Sequence, residues 1–321
     1  RLGDCAFTFD RAARDYDWLV VYGELPPAPG QDEKSAVEVL ACPRANTILF
    51  TTEPESIKCY GRHYTAQFGH VVTSQPAWAL PHPRRHWQQA ANHWFCGSAP
   101  GAWMTRDQLL AVGAHKQRDA AMVGSKKAQG HTLHARRFAF MERVQQLMPE
   151  LDVYGRGFRP MPDKAAALDA YRYHLCLENH IAPHHWTEKL SDAFLGRCLP
   201  FYAGAPNAQD YFPEGSFVRI DINDPEGAVA LLRQAIRENW YDQRKPLIEE
   251  ARRRVLEDYH LFAVTARIVA AAAGTASPPA QAGASIRSRH ALRRAAPAGA
   301  LYHLFEKAYV RLRARLERRD R

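Results

Sequence analysis

The stretch that decides the fold is ENHIAPHHWTEK, from Glu178 to Lys189. A strand-like apolar run, YRYHLCL, precedes it at 171–177, and a helix-like run follows it at 190–196. This order predicts a strand, a loop and a helix, which is the repeating pattern of a parallel α/β sheet. Since ligands bind beyond the carboxyl ends of the strands in open sheets of this kind, the loop is the predicted position of a ligand site.

Four side chains of this loop have the chemistry of a site for a phosphate-bearing sugar. Glu178 and Asn179 directly follow the strand, and Glu188 and Lys189 occupy the first turn of the helix. The free N–H groups and the dipole of a helix N-terminus attract anions, and the lysine adds a full positive charge. The sequence therefore predicts that an anionic sugar donor binds at this sheet edge.

The segment resembles glycosyltransferase family 10, the α1,3-fucosyltransferases, in which a strand ends in Glu-Asn and a helix begins with Thr-Glu-Lys. Here the corresponding parts are Glu178-Asn179 and Thr187-Glu188-Lys189, followed by DAF at 192–194 and LPFYAG at 199–204. The resemblance covers roughly residues 120 to 260. It implies an α/β fold of GT-B type, with two Rossmann-like domains facing a cleft.

The same resemblance implies an inverting, metal-independent glycosyltransferase that moves fucose from GDP-fucose, or a related sugar from a GDP-sugar, to a glycan hydroxyl. No cofactor is expected. His180 and His185 stand where the family usually has serine and tyrosine, so the same fold with a different nucleotide sugar remains an alternative. A catalytically inactive protein that binds glycans or nucleotides is the other alternative, although the intact Thr-Glu-Lys argues against it.

Transfer from a nucleotide sugar requires neutralisation of the leaving diphosphate, by a metal or by cationic side chains. Lys189 and Arg137 are the candidates, with the adjacent Arg136 as an alternative to Arg137, and the chain has no Asp-x-Asp cluster of the metal-dependent type. Glu188 is a candidate to bind donor hydroxyls or to face the developing positive charge. The complete set of predicted donor-binding residues is Arg137, Glu178, Asn179, His185, Thr187, Glu188 and Lys189.

The general base is predicted in the other domain, at the end of the apolar strand in TILFTTEPES. Family members have a similar strand that ends in an acidic residue, and this pattern selects Glu53. Pro54 restricts Glu53 to an extended conformation, which suits presentation into a cleft. Glu55 is the alternative, and together with Glu188 the selected base forms the predicted catalytic pair.

The chain of 321 residues has strand-like runs at 18–22, 47–51, 71–73 and 217–222 and helix-like runs at 54–67 and 241–261. These runs divide it into four predicted parts. An acceptor-binding Rossmann-like domain covers 1–115, and a nucleotide-sugar-binding Rossmann-like domain covers 116–269. Residues 270–284, AAAAGTASPPAQAGA, are typical of a flexible linker. A basic amphipathic tail follows at 285–321.

The charge of the chain is concentrated in this tail. It has eleven basic and three acidic side chains, a balance of +8 in a chain whose net charge is +9. An apolar stripe recurs at helical spacing, with basic residues mostly off it; its members are Leu301, Leu304, Phe305, Ala308, Tyr309, Leu312 and Leu316. This pattern predicts binding to an anionic membrane surface, and docking on the protein's own body or on a partner subunit is the alternative.

Composition excludes several other functions. No apolar run reaches the ~18 residues of a membrane span, and the basic charge is not placed on a folded face rich in aromatic residues, as nucleic-acid binding requires. The six cysteines form no CxxC pair, so we expect reduced thiols and no metal site. The predicted location is cytoplasmic, peripheral on the inner membrane, with lipopolysaccharide or another surface glycan as the acceptor.

Overall fold

The computed structural model describes residues 1–28, 30–32, 35–91, 93–113, 115–125, 133–273 and 283–319. In these ranges the strands β1 to β13 are Leu19–Tyr22, Val37–Val39, Thr47–Phe50, His70–Thr73, Arg85–Trp87, Ser98–Ala99, Ala102–Trp103, Arg118–Val123, Asp152–Tyr154, Tyr171–Leu177, Leu199–Ala203, Val218–Arg219 and Ser285–Arg287. The helices α1 to α9 are Arg62–Thr65, Arg106–Ala111, His134–Leu147, Glu188–Leu195, Pro225–Arg237, Trp240–Glu257, Leu261–Ala272, Arg289–Ala295 and Pro297–Arg319.

The chain forms two compact units. The first consists of Arg1–Ala91 and Leu261–Arg321, and the second of Asn92–His260. This division differs from the predicted one at residue 115, because Cys96 and Leu109 pack in the core of the second unit. Helix α7 belongs to the first unit, where Val264 packs in its core.

The first unit has a parallel sheet of four strands in the order β1-β3-β4-β5. Its central strands are fully buried, which explains the continuous apolar run of β3. The predicted strands near 18–22, 47–51 and 71–73 correspond to β1, β3 and β4. The helix-like stretch at 54–67 forms a helix only at α1.

The second unit has a parallel sheet of five strands in the order β12-β11-β10-β8-β9. In chain order this is the 2-1-3-4-5 arrangement of doubly wound folds. Strands β8 and β10 are neighbours although β9 lies between them in the chain, so the strand order reverses at this pair. Such a point leaves a crevice beyond the carboxyl ends of the strands, and ligands bind there.

The helices of the second unit follow the predicted pattern closely. Helix α3 begins one residue after Leu133, α4 begins after its N-cap Thr187, and α5 begins after the N-cap Asp224. The predicted helix at 241–261 corresponds to α6, which ends at Glu257, and α7 begins at Leu261 in the first unit. The predicted strand at 217–222 is limited to β12.

The C-terminal segment is built into the first unit. Strand β13 pairs with β2 in an antiparallel ribbon, and its central Ile286 is fully buried. Helix α9 packs through Val310 against Cys59 and Ala79, and Ala314 on the same face is also buried. Of the predicted linker, residues 274–282 lie outside the described part of the chain.

All six cysteines are unpaired, which confirms the expectation of free thiols. Among the described helices, none has the length and apolar character to cross a membrane.

Candidate functional site

The candidate site lies at the carboxyl edge of the second unit's sheet. Strand β10 ends at Leu177, and Glu178 and Asn179 follow it, next to the end of β8 at Val123. This is the pair of strands at which the strand order reverses. The sequence motif and the topology therefore select the same place.

Glu178 fixes the start of helix α4. Its side chain is fully buried, and its carboxylate accepts hydrogen bonds from the backbone N–H of Thr187 at 2.8 Å and from the Thr187 hydroxyl at 2.7 Å. The hydroxyl oxygen of Thr187 in turn accepts from the backbone N–H of Lys189 at 3.4 Å and caps the helix. A carboxylate held by several N–H and O–H donors is a rigid positioning group.

Gly204 provides the space for this arrangement. A Cβ atom at Gly204 would lie 2.1 Å from the Tyr202 hydroxyl oxygen and 2.6 Å from Cγ of Glu178. Any larger residue would therefore displace either the buried tyrosine or the carboxylate. The glycine of LPFYAG is thus required by close packing at the end of β11.

Lys189 joins the two acids of the motif. Its Nζ lies 2.9 Å from Glu188 Oε1, 3.2 Å from Thr187 Oγ1 and 3.5 Å from Glu178 Oε2. The lysine side chain keeps 19% of its surface exposed. The ammonium group is therefore held by the protein and still accessible to an anion.

Glu188 is held in its ionised form. Burial would raise the pKa of its carboxyl group, but the nearby ammonium groups of Lys189 and Lys164 lower it to about 2. About one fifth of the side chain, 22%, is exposed. An ionised carboxylate in this position is able to accept hydroxyl hydrogen bonds or to face a developing positive charge.

Arg137 comes from a different element, the first turn of α3. The side chain is 7% exposed and donates a hydrogen bond to Asn179 Oδ1. Burial lowers the pKa of Arg137, while Glu178 and Glu188 act in the opposite direction. Its Nε is buried and has no hydrogen-bond partner among the described residues. The neighbouring Arg136 is exposed, so Arg137 is the arginine that the structure brings to the motif.

His185 is buried beside the motif at 7% exposure. Burial, followed by His180 and Lys189, lowers its pKa to about 3, so it is neutral at physiological pH. Its ring meets that of His180 edge to face, with the centroids 5.1 Å apart. His184 has a positive φ of 62°, so the chain turns there. Its Nδ1 lies 2.6 Å from the hydroxyl oxygen of Tyr211.

Two residues beside the motif were not selected from the sequence. Lys164 forms an ion pair with the fully buried Asp192 at 2.7 Å. The other carboxylate oxygen of Asp192 accepts from the backbone N–H groups of Phe95 and Cys96 at 2.8 and 3.0 Å. Asp192 belongs to the DAF of the family motif, which was a usable signal, but the loop that carries Lys164 has no local pattern that indicates this role.

Glu53 and Glu55 lie at the carboxyl edge of the first unit's sheet. Strand β3 ends at Phe50, Glu53 is half-buried and Glu55 is 7% exposed. The backbone carbonyl of Glu53 accepts a hydrogen bond from Gln75 Nε2 at 2.8 Å. The structure therefore places both acids where the sequence predicted, beyond the end of the strand, and gives no preference between them as the base.

The match to a known protein family lies within the second unit. Residues 114–239 match the model for glycosyltransferase family 10 (fucosyltransferase), C-terminal part. A solved α1,3-fucosyltransferase with GDP-fucose is 23% identical over 45% of this chain and 42% of its own, with a TM-score of 0.36. Another α1,3-fucosyltransferase structure, with GDP, is 16% identical over 74% of this chain and 70% of its own, with a TM-score of 0.45. The family match contains every predicted donor-binding residue, and it confirms the resemblance to glycosyltransferase family 10 over residues 114–239.

Proposed function

We propose that the protein is an inverting, metal-independent glycosyltransferase that moves fucose, or a related sugar, from a GDP-sugar to a glycan hydroxyl. The observation that carries the proposal is the position of two cations, Lys189 and Arg137, at the N-terminus of α4 and the reversal point of the sheet. A diphosphate in this crevice would meet both cations at the positive end of the helix dipole. GDP as the leaving group needs this kind of neutralisation.

In the absence of donor, polar side chains of the motif contact these cations. Lys189 contacts Glu188, and Arg137 contacts Asn179. When the diphosphate binds, Lys189 exchanges its contact with Glu188 for phosphate oxygen. Glu188 remains ionised, since Lys164 also lowers its pKa, and is then available to the ribose or sugar hydroxyls or to the positive charge that develops at the anomeric carbon.

Inversion requires that the acceptor hydroxyl attack from the side opposite the leaving diphosphate. A base must take the hydroxyl proton during this step. We assign this role to Glu53, with Glu55 as the alternative, and the proposal includes a GT-B arrangement in which the two units face a cleft. The position of Glu53 beyond the end of β3 supports the assignment.

Turnover with a panel of nucleotide sugars tests the donor. The purified protein is incubated with GDP-fucose, GDP-mannose, UDP-galactose and UDP-glucose, and release of the nucleotide is measured with and without glycan acceptors. We expect GDP release from GDP-fucose or a related GDP-sugar. Turnover of a UDP-sugar alone would change the donor and keep the fold, whereas nucleotide binding without any turnover would identify an inactive binding protein.

Metal independence is tested in the same assay. We expect turnover to persist with EDTA, because Lys189 and Arg137 supply the positive charge that a metal supplies in other glycosyltransferases. Activity that is lost with EDTA and restored by Mn²⁺ would contradict the mechanism.

We further propose that the enzyme works on the cytoplasmic face of a bacterial inner membrane, on lipopolysaccharide or another surface glycan, with α9 in contact with anionic lipid. All members of the predicted apolar stripe are exposed, with Leu304 at 61% and Phe305 at 68%. Arg311 and Arg315 are exposed on the same helix. The helix packs on the first unit through another face, at Val310 and Ala314, so docking on the body leaves the stripe available to a membrane.

A further inference from the structure

Three metal-ligating side chains meet in the first unit, outside the site for the donor. They are Cys59, His303 and Glu306, and their ligand atoms all lie within 4.8 Å of one another. Cys59 precedes helix α1, whereas His303 and Glu306 lie one turn apart on α9. The side chains of the histidine and the glutamate are 10% and 7% exposed, and Cys59 is 7% exposed. The cluster thus joins two segments far apart in sequence.

The imidazole of His303 has a buried ring nitrogen without a hydrogen-bond partner in the described part of the chain. This nitrogen is Nε2, whereas Nδ1 of the same ring lies 3.4 Å from Glu306 Oε2. Buried polar atoms normally have a hydrogen-bond partner, so we expect this unpartnered ring nitrogen to have a ligand of some kind. The ring is also tightly held, because a Cβ atom on Gly61 would lie 2.5 Å from His303 Nδ1.

The carboxylate of Glu306 is oriented by the backbone. Its two oxygens accept from the N–H of Arg62 at 3.1 and 3.2 Å, at the first residue of α1. Metal-ligating carboxylates are commonly held by such outer hydrogen bonds, which fix the direction of the free lone pairs. The carboxylate also lies 3.7 Å from Arg62 Nε and 3.4 Å from His303 Nδ1, and it retains lone pairs that are able to coordinate a cation.

We propose that Cys59, His303 and Glu306 bind one Zn²⁺ that fastens helix α9 to the first unit. A thiolate, an imidazole and a carboxylate are the ligand types that zinc takes in tetrahedral sites, with water at the fourth position. The metal has a structural role and takes no part in the proposed sugar transfer. The role of the Zn²⁺ is separate from that function. The metal holds the docked face of α9 on the first unit, while the apolar stripe on the same helix remains exposed.

Cobalt binding to the full-length protein tests the site. The protein is stripped with a chelator, and Co²⁺ is titrated while the thiolate-to-cobalt charge-transfer absorption is recorded. We expect one Co²⁺ per chain, displaced by one Zn²⁺. Cys59→Ser and His303→Ala should lose the absorption, whereas Cys42→Ser, at another buried cysteine of the first unit, and His290→Ala, on the exposed surface of α8, should keep it.

Thermal unfolding gives a second measurement. Since a ligand that binds only the folded state stabilises it by mass action, Zn²⁺ should raise the Tm of the wild type and of Cys42→Ser but not that of Cys59→Ser. Far-UV circular dichroism verifies that each variant is folded. Glu306→Gln, which keeps an acceptor for the Arg62 N–H, provides a milder variant and should lose the Zn²⁺-dependent rise in Tm.

The proposal is overturned if the wild type gives no thiolate-to-cobalt absorption, or if folded Cys59→Ser and His303→Ala variants retain it. It is also overturned if Zn²⁺ raises the Tm of folded Cys59→Ser as much as that of the wild type. The donor assay is independent of these results. A rise in Tm with Zn²⁺ reports on the attachment of α9, whereas turnover restored by Mn²⁺ reports on the transfer mechanism.

Discussion

The two parallel sheets carry acids beyond their carboxyl edges, but the surroundings of these acids differ. In the second unit Glu178 and Glu188 are held by a capped helix of eight residues and by Lys189. In the first unit Glu53 follows β3, and the next helix, α1, has four residues and a glycine at its N-cap. At one edge the acids are thus fixed by a capped helix and a lysine, whereas the other edge presents a carboxylate on an irregular segment.

This difference fits the two separate roles that the proposed mechanism gives to the two edges. Binding of a diphosphate benefits from preorganised cations and helix N–H groups. A base has to accept a proton from a hydroxyl, so its carboxylate must not be fully engaged by cations. Substitutions at the edge of the first unit should therefore lower turnover. Substitutions of the cations at the edge of the second unit should weaken GDP binding.

The largest expected effect is at the edge of the first unit. Glu53→Gln keeps the shape of the side chain and removes the proton acceptor, and loss of a general base typically lowers the rate by about 10²–10⁴-fold. GDP affinity, measured by calorimetry, should be unchanged. Glu55→Gln is the matched control, with a smaller expected loss of turnover.

Other outcomes would change this assignment. An inactive Glu55→Gln variant beside a nearly normal Glu53→Gln variant would transfer the role to Glu55. Normal turnover in both variants would remove the segment from the mechanism and with it the proposed division of labour.

The second effect concerns stability at the other edge. Asp192→Ala leaves the ammonium of Lys164 buried without its partner, and breaking a buried pair costs about 3–5 kcal/mol. Burial opposes the charge on Lys164, but Asp192 and Glu188 raise its pKa, so the pair contributes stability at neutral pH that is lost only as the pH rises through the raised pKa. Urea unfolding provides the measurement. The double variant with Lys164→Met should recover part of the loss, and no recovery would mean that the hydrogen bonds of Asp192 to the loop dominate.

The residues at this edge differ in how well the sequence predicts them. Glu178 and Thr187 are nine positions apart and lie at a strand end and a helix cap, which are local patterns. The sequence therefore predicts both as parts of one site, and the structure shows them in contact. The Lys164–Asp192 pair joins a helix to a distant loop, and no local pattern determines such long-range pairing. For the same reason the sequence indicates the apolar stripe of α9, with docking on the body as an alternative, but does not identify Val310 as a docking residue.

The third effect separates donor binding from the overall stability of this unit. Lys189→Ala should weaken GDP binding by about 1.5–3 kcal/mol, the range for a hydrogen bond to a charged group. Calorimetry of GDP binding is the measurement, and Lys245→Ala, at an exposed lysine of α6, is the matched control. Unchanged GDP affinity in the Lys189 variant, with the protein folded, would refute the assignment of Lys189 to the diphosphate.

The fourth effect is the acid sensitivity of the second unit. Burial is the main cause that lowers the pKa of both His174 and His185 to about 3, whereas an unfolded histidine titrates near ~6.5. Between these values the unfolded chain binds more protons, so stability falls as the pH decreases, by about 1.4 kcal/mol per pH unit for each histidine. His174→Gln should reduce the slope of unfolding free energy against pH between pH 6 and 5 by about one proton. An unchanged slope would show that this histidine is protonated in the folded state.

The smallest effect per residue is expected on α9, where an outward apolar stripe lies opposite a docked face. The stripe contributes little to folding, because Leu304 and Phe305 are mostly exposed. The double variant Leu304→Ser with Phe305→Ser should therefore leave the Tm unchanged and reduce sedimentation with anionic vesicles. Arg311→Gln and Arg315→Gln should each weaken vesicle binding by about 1 kcal/mol, and salt should weaken the binding of the wild type by screening. The matched control removes two exposed charges from the second unit, Arg237→Gln with Lys245→Gln. If this control lowers vesicle binding as much as the arginine variants do, the attraction depends on the net charge of the protein and α9 has no special role. A loss confined to the α9 variants would instead establish that one helix joins the first unit through one face and contacts lipid through the other.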